Sequence, residues 1–166
     1  MANGGADRRV VGVVAAVLAI VVVDQLTKVW AVSALASGPV RVIGDVVELR
    51  LTRNSGGAFG RFQGFTPVLA ILALAIVVVL VRTLRRTADR VLLVGLVLVL
   101  GGALGNLVDR FLRAPGFMRG HVVDFVSVGW WPVFNIADAC ITVGGVLLVI
   151  RTLWPARPTA EGGGTA

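Results

Sequence analysis

The chain has 166 residues, 57% of them hydrophobic and 15% charged, where a soluble domain averages roughly 45–50% and about 25%. Its apolar residues are bunched into long uncharged runs, which excludes an ordinary water-soluble domain. A net charge of +7 would suggest nucleic acid in a soluble chain, but here the basic residues flank apolar runs, so membrane lipids and no nucleic acid are expected.

The first run, Val10 to Val23, is short of the ~20 residues a helix needs to cross the hydrocarbon. It becomes a span over 10–32 only if Asp24 lies inside it, and an intramembrane carboxylate demands an explanation. Arg8 and Arg9 before the run, with Ala34-Leu35-Ala36 after it, imitate a cleavable leader. Three later runs already commit the chain to the membrane, and the charged stretch Asp24 to Lys28 is atypical of a leader, so retention as a span is the better reading. Asp24 and Lys28 are spaced i, i+4 and share a helix face. They can form a salt bridge, or Lys28 can snorkel and anchor the helix at the interface.

Beyond this span, Val47, Leu49 and Leu51 alternate with Glu48, Arg50 and Thr52, a period of two that predicts a short strand outside the membrane. The second span is expected over 62–81, and Arg82, Arg85, Arg86 and Arg90 crowd the connection after it. The third, over 91–108, contains Gly101-Gly102-Ala103-Leu104-Gly105, small residues that let helices approach closely in lipid. Asn106 follows as a candidate interhelical hydrogen bond, Asp109 ends the span and Arg110 falls in the connection after it. Asp124 then sits among Val122, Val123 and Phe125, surroundings that favour its protonated form. Trp130, Trp131 and Pro132 suit a headgroup-level anchor followed by a helix start. Asn135 and Asp138 have the spacing of a capping box at the head of the fourth span, 135–153. Residues 1–156 make one membrane-embedded domain, and a disordered tail is expected over 157–166.

Arg8 and Arg9, the second connection, and Arg151 with Arg157 should face the cytoplasm. The segments 28–66 and 109–135 also carry eight Lys plus Arg, but over about twice the length, so both termini are placed inside by density of charge. The fold class is therefore an all-α integral membrane protein: a four-transmembrane-helix bundle with a small extramembrane β element on the outer side.

In an antiparallel four-span chain, the end of span one, the start of span two, the end of span three and the start of span four share one side. Asp24, Asn54, Asp109, Arg110, Asp124, Asn135 and Asp138 all gather there, which implies a site at the outer interface. If Asp124 and Asp138 meet, one protonated and one ionised, they can activate water and protonate a leaving nitrogen. Asp138 can also serve simply as a cap, and the helix macrodipole favours its ionised form in either case. Rival chemistries are poorly supplied: Ser33, Ser37, Ser55 and Ser127 lack a G-x-S-x-G setting and there is no H-E-x-x-H. With only Cys140 and one histidine, an intramolecular disulfide is impossible and a zinc site improbable.

Five separated motifs resemble the lipoprotein (type II) signal peptidases: Asp24-Gln25-Leu26-Thr27-Lys28, Asn54-Ser55-Gly56-Gly57-Ala58-Phe59, Gly101 through Arg110, Val123-Asp124-Phe125, and Phe134-Asn135-Ile136-Ala137-Asp138. In order and spacing they cover nearly the whole chain except its termini. The resemblance implies a membrane aspartic endopeptidase that removes the signal peptide from diacylglyceryl-modified prolipoproteins, cutting before the lipidated cysteine. It implies a catalytic pair, Asp124 and Asp138; substrate-binding or site-shaping roles for Asn54, Asn106, Asp109, Arg110 and Asn135; and a structural or membrane-interface role for Asp24 and Lys28. It implies no metal or organic cofactor, prolipoprotein partners, a monomer, and a bacterial cytoplasmic membrane location with the site at the outer face. Gly57 departs from the family's usual alanine and should loosen its loop slightly. A small proton-coupled transporter is the alternative, disfavoured by two long segments on one side of the membrane; a helix-binding scaffold is a third reading.

Overall fold

A computed structural model describes residues 4–56 and 66–154. Gly57, Ala58 and Phe59 of the second motif, the first four residues of the expected second span and the expected tail lie outside the described residues.

Four helices carry the apolar runs: α1 (Gly4–Ala34), α2 (Thr66–Arg86), α3 (Arg90–Leu112) and α4 (Ile136–Leu153). Each is long and apolar enough to cross a membrane. Their outward faces carry Val11, Leu18, Leu26, Ile71, Val79 and Val149, all exposed, which in water would be a liability and in lipid is the expected solvation. α3 is the hub, packing against all three other helices, most extensively α4. Small residues set those distances. A methyl on Gly101 would sit 2.9 Å from Ile20 of α1, one on Gly102 would strike the Ala137 carbonyl of α4, and one on Gly144 would lie 2.7 Å from the Gly95 carbonyl.

Helix boundaries follow local chemistry. Asp89 caps α3, accepting from the Val91 and Leu92 amides, and pairs with Arg151 of α4. Those bonds, with Arg151 the largest cause, hold the Asp89 carboxyl down at about 2. α3 runs past the expected limit of 108, so Arg110, expected in the connection, belongs with Asp109 to its last turns. Their charges are met by internal partners, so they do not end the helix. α4 starts at Ile136, four residues after Pro132, because Asn135 and Asp138 form a complete capping box there.

The sequence pattern predicts one strand; the described residues contain three. β1 (Val40–Ile43), β2 (Val47–Asn54) and β3 (Val122–Val128) form an antiparallel sheet in that order. β3 has a solid apolar run in place of alternation, because Val122, Val123, Asp124 and Phe125 are all buried. Phe125 packs on Ala31 and Leu35 at the end of α1 and meets Trp30 edge-on at 6.2 Å. Two further ties position the sheet. The Phe134 carbonyl accepts from the Phe125 and Val126 amides at 3.1 and 2.9 Å, and Thr52 pairs with Asp124 across β2 and β3. The head of α4 is thereby stitched to the strand that carries Asp124.

Candidate active site

At the end of the bundle nearest the sheet, α1 and α3 bury charge. Asp24, Lys28 and Asp109 are all 0% exposed. The Lys28 ammonium lies 2.8 Å from Asp24 Oδ2 and 2.9 Å from Asp109 Oδ2 and donates at 3.0 Å to Asn106 Oδ1. Three donors meet three acceptors, which is all an ammonium can do. The i, i+4 pair is therefore an interior salt bridge and not a snorkelling anchor. Two residues to which sequence reasoning gave no role complete the set. Gln25 donates to Asp24, Asp109 and the Gly105 carbonyl, and Arg113 donates to Asp109 at 2.6 Å. Arg113 stands four residues after Asp109, a spacing that could have revealed it. Asp24 also accepts from the Ala137 amide at 3.0 Å, fixing the first turn of α4 to α1. Gly105 makes room for this carboxylate, since a methyl there would lie 2.7 Å from Asp24 Oδ2.

The hydrogen-bond pattern propagates outward from Lys28. An ammonium accepts nothing, so the Asn106 atom facing it must be the carbonyl oxygen, and the Asn106 amide nitrogen must turn to Asp138, where it donates at 2.8 Å to Oδ1. Asn135 is oriented the same way: its oxygen takes the Asp138 amide at 2.9 Å, leaving its nitrogen to donate at 2.7 Å to Asp124 Oδ1. Asn54 donates to Asp124 Oδ2 at 3.2 Å. Among the described residues, no buried side-chain nitrogen or oxygen lacks a partner.

Asp124 and Asp138 open onto one cavity of about 350 Å³, with Asn54, Asn106 and Arg110 beside them. Its remaining walls are apolar, built from Leu69, Ala73 and Ile76 of α2, Val99, Ala103 and Leu107 of α3, and Ile141 of α4. Five of the expected site residues thus share one cavity. Asn135 lies fully buried beneath them, and Asp109, which does not line the cavity, is turned toward Lys28 and Arg113. Arg110 donates at 3.0 Å to the Asn54 and Gly120 carbonyls, clasping the end of β2 to the segment before β3. Burial pushes the Asp124 carboxyl up to about 7, and the neighbouring charge of Asp138 adds to the rise against the donors Asn54 and Asn135.

Residues 16–154 match the family model described as Signal peptidase (SPase) II. The chain belongs to the signal peptidase II family. Proteins named lipoprotein signal peptidase resemble it over most of its length. That of Rhodococcus jostii (strain RHA1) is 56% identical over 136 residues, covering 81% of this chain and 69% of the relative. That of Mycobacterium avium (strain 104) is 51% identical over 148 residues, covering 89% and 80%. Two solved bacterial membrane enzyme structures, obtained by the in meso method at 2.3 and 1.9 Å, superpose with TM-scores of 0.76 at 30% identity. They cover 86–87% of this chain and 87% and 94% of theirs. In this signal peptidase II chain the cavity and its carboxylates lie within the matched region.

The buried cation yields the first prediction. Lys28→Met leaves Asp24 and Asp109 facing each other without their shared ammonium, and breaking a buried pair in this way costs about 3–5 kcal/mol. The thermal midpoint of the purified variant in detergent should fall sharply. A midpoint equal to that of the unaltered chain would show that Lys28 does not hold the bundle.

Proposed function

We propose that Asp124 and Asp138 are the catalytic pair with which this membrane aspartic peptidase cleaves the signal peptide from lipoprotein precursors, at the bond before a diacylglyceryl-modified cysteine. The observation that carries this reading is the shared cavity: two carboxyl groups from different elements, oriented by Asn54, Asn106 and Asn135, in a pocket otherwise walled by apolar side chains.

The chemistry follows from their unequal surroundings. Asp138 stands in the first turn of α4, where the macrodipole favours a carboxylate, and its acceptor positions receive Asn106 and the Asn135 amide. Asp124 holds a proton below about pH 7. Asp138 then takes a proton from water as the water oxygen bonds to the scissile carbonyl carbon, and Asp124 gives its proton to the carbonyl oxygen. When the carbon–nitrogen bond breaks, the proton on Asp138 goes to the leaving nitrogen and a hydroxyl proton of the intermediate returns to Asp124. The pair ends as it began. The apolar wall suits the acyl chains of the modified precursor, and Asn54, Arg110 and Asn135 keep the strand and helix ends in place around the scissile bond. The enzyme is read as a monomer formed by one domain, residues 1–156.

The arginine-rich end of the bundle, with Arg82, Arg85 and Arg86 on α2 and Arg90 on α3, is read as cytoplasmic together with both termini, and the sheet and cavity as outward-facing. An impermeant maleimide applied to intact cells should modify Trp130→Cys and spare Ala88→Cys, both in a Cys140→Ala background. The reverse labelling would invert the topology.

Asp124→Asn and Asp138→Asn should each insert normally and lower cleavage of a diacylglyceryl precursor peptide by about 10²–10⁴-fold, since each removes a proton-transfer group. Near-normal turnover in either purified variant would exclude that residue from the pair.

A further inference from the structure

A second cavity, of about 450 Å³, lies at the arginine-rich end and shares no lining residue with the first. It is a groove between α1 and α2, both of which pack on α3. One wall is Val10, Val13, Val14, Val17 and Leu18 of α1; Val81 and Leu84 of α2 form the other, and Leu100 of α3 lies at the floor. Beyond Leu18 α1 closes on α3, where a methyl on Gly101 would sit 2.9 Å from Ile20.

Two features say what fills it. The first is length. From Arg9 to Leu18 is nine residues, about 13 Å along the helix at 1.5 Å per residue, close to the roughly 15 Å of hydrocarbon in one leaflet of a ~30 Å core. The second is charge. The mouth of the groove is lined by Arg9 and Arg85. Arg9 also donates to the Thr87 carbonyl, tying α1 to the turn between α2 and α3. Among the described residues, neither arginine is in a salt bridge with a carboxylate. An apolar slot one leaflet long that ends in two guanidinium groups matches a lipid with a chain and an anionic headgroup.

We propose that this groove binds one acyl chain of an anionic glycerophospholipid from the arginine-side leaflet, with Arg9 and Arg85 holding its phosphate. The inference rests on the chain spanning a bilayer and is independent of the catalytic pair. Such a lipid joins two helices that each pack on α3, and so completes the bundle on the side away from the site.

The test is made on the full chain purified in detergent, titrated with palmitoyl-oleoyl phosphatidylglycerol, with phosphatidylcholine of the same chains, or with inorganic phosphate. Retained lipid is counted by native mass spectrometry, and the thermal midpoint is followed in parallel. Phosphatidylglycerol should be retained in preference to phosphatidylcholine and raise the midpoint, while phosphate alone should do neither. Arg85→Gln should reduce that preference about fivefold, the worth of one headgroup arginine. Arg41→Gln, on the exposed sheet edge, should leave it unchanged. Val14→Trp, which fills the slot from a lipid-exposed position, should reduce retention of both lipids without loss of precursor cleavage. Equal retention of the two lipids, retention untouched by Arg85→Gln and Val14→Trp, stabilisation by phosphate alone, or a dimer that forms through the groove in place of lipid would each overturn the proposal.

Discussion

A single buried cation organises the working end of this molecule. Lys28 has no exposed surface, and an ammonium out of water is tolerated only when every proton is directed at an acceptor. Its acceptors are Asp24 on its own helix and Asp109 and Asn106 on α3. Arg113 supplies a second positive charge to Asp109, so two cations face two carboxylates and the cluster is neutral as a whole. That neutrality is what allows charge to remain so deep. The same contacts dictate geometry, because the carbonyl oxygen of Asn106 is committed to Lys28 and its amide nitrogen is left for Asp138.

The reactive end is built differently. Asp124 and Asp138 receive hydrogen bonds from neutral amides, and Arg110, the cation beside them, spends its contacts on the Asn54 and Gly120 carbonyls. Arg110 and Lys28 offset only part of the pair's charge, and burial together with the charge of Asp138 pushes the Asp124 carboxyl up to about 7. A structural cluster with its charges balanced and a neighbouring pair short of one positive charge is the division expected when the first must be rigid and the second must move protons.

Much of this was legible in the sequence for reasons that are physical. Long apolar runs have one solution in lipid, so the four spans emerge from composition alone, and antiparallel connection forces the polar residues to one end. The capping box at Asn135 and Asp138 and the small residues of α3 are local patterns with local consequences. The rest depends on long-range contact. β1 is four exposed residues with no distinctive period, and β3 is buried along nearly its whole length, so neither shows the alternation that disclosed β2. The roles of Gln25 and Arg113 appear only once α1 and α3 are side by side. The same holds for Asp109: its two buried partners, Lys28 and Arg113, come into view only when the helices pack. The choice between an interior bridge and an interface anchor for Lys28 could be made only by seeing what stood opposite it.

The contacts run from Lys28 through Asn106 to Asp138, beside an Asp124 carboxyl pushed up to about 7, and the decisive link is the single proton on Asp124. Carbon-13 labelling of the aspartate side chains, followed by carboxyl-carbon NMR across pH in detergent micelles with Asp124→Asn used for assignment, measures that proton directly. The structure calls for an Asp124 resonance that stays protonated through the ordinary carboxylate range and titrates at about 7. An Asp124 already ionised at pH 5, with the proton on Asp138 or absent from the pair, would contradict it.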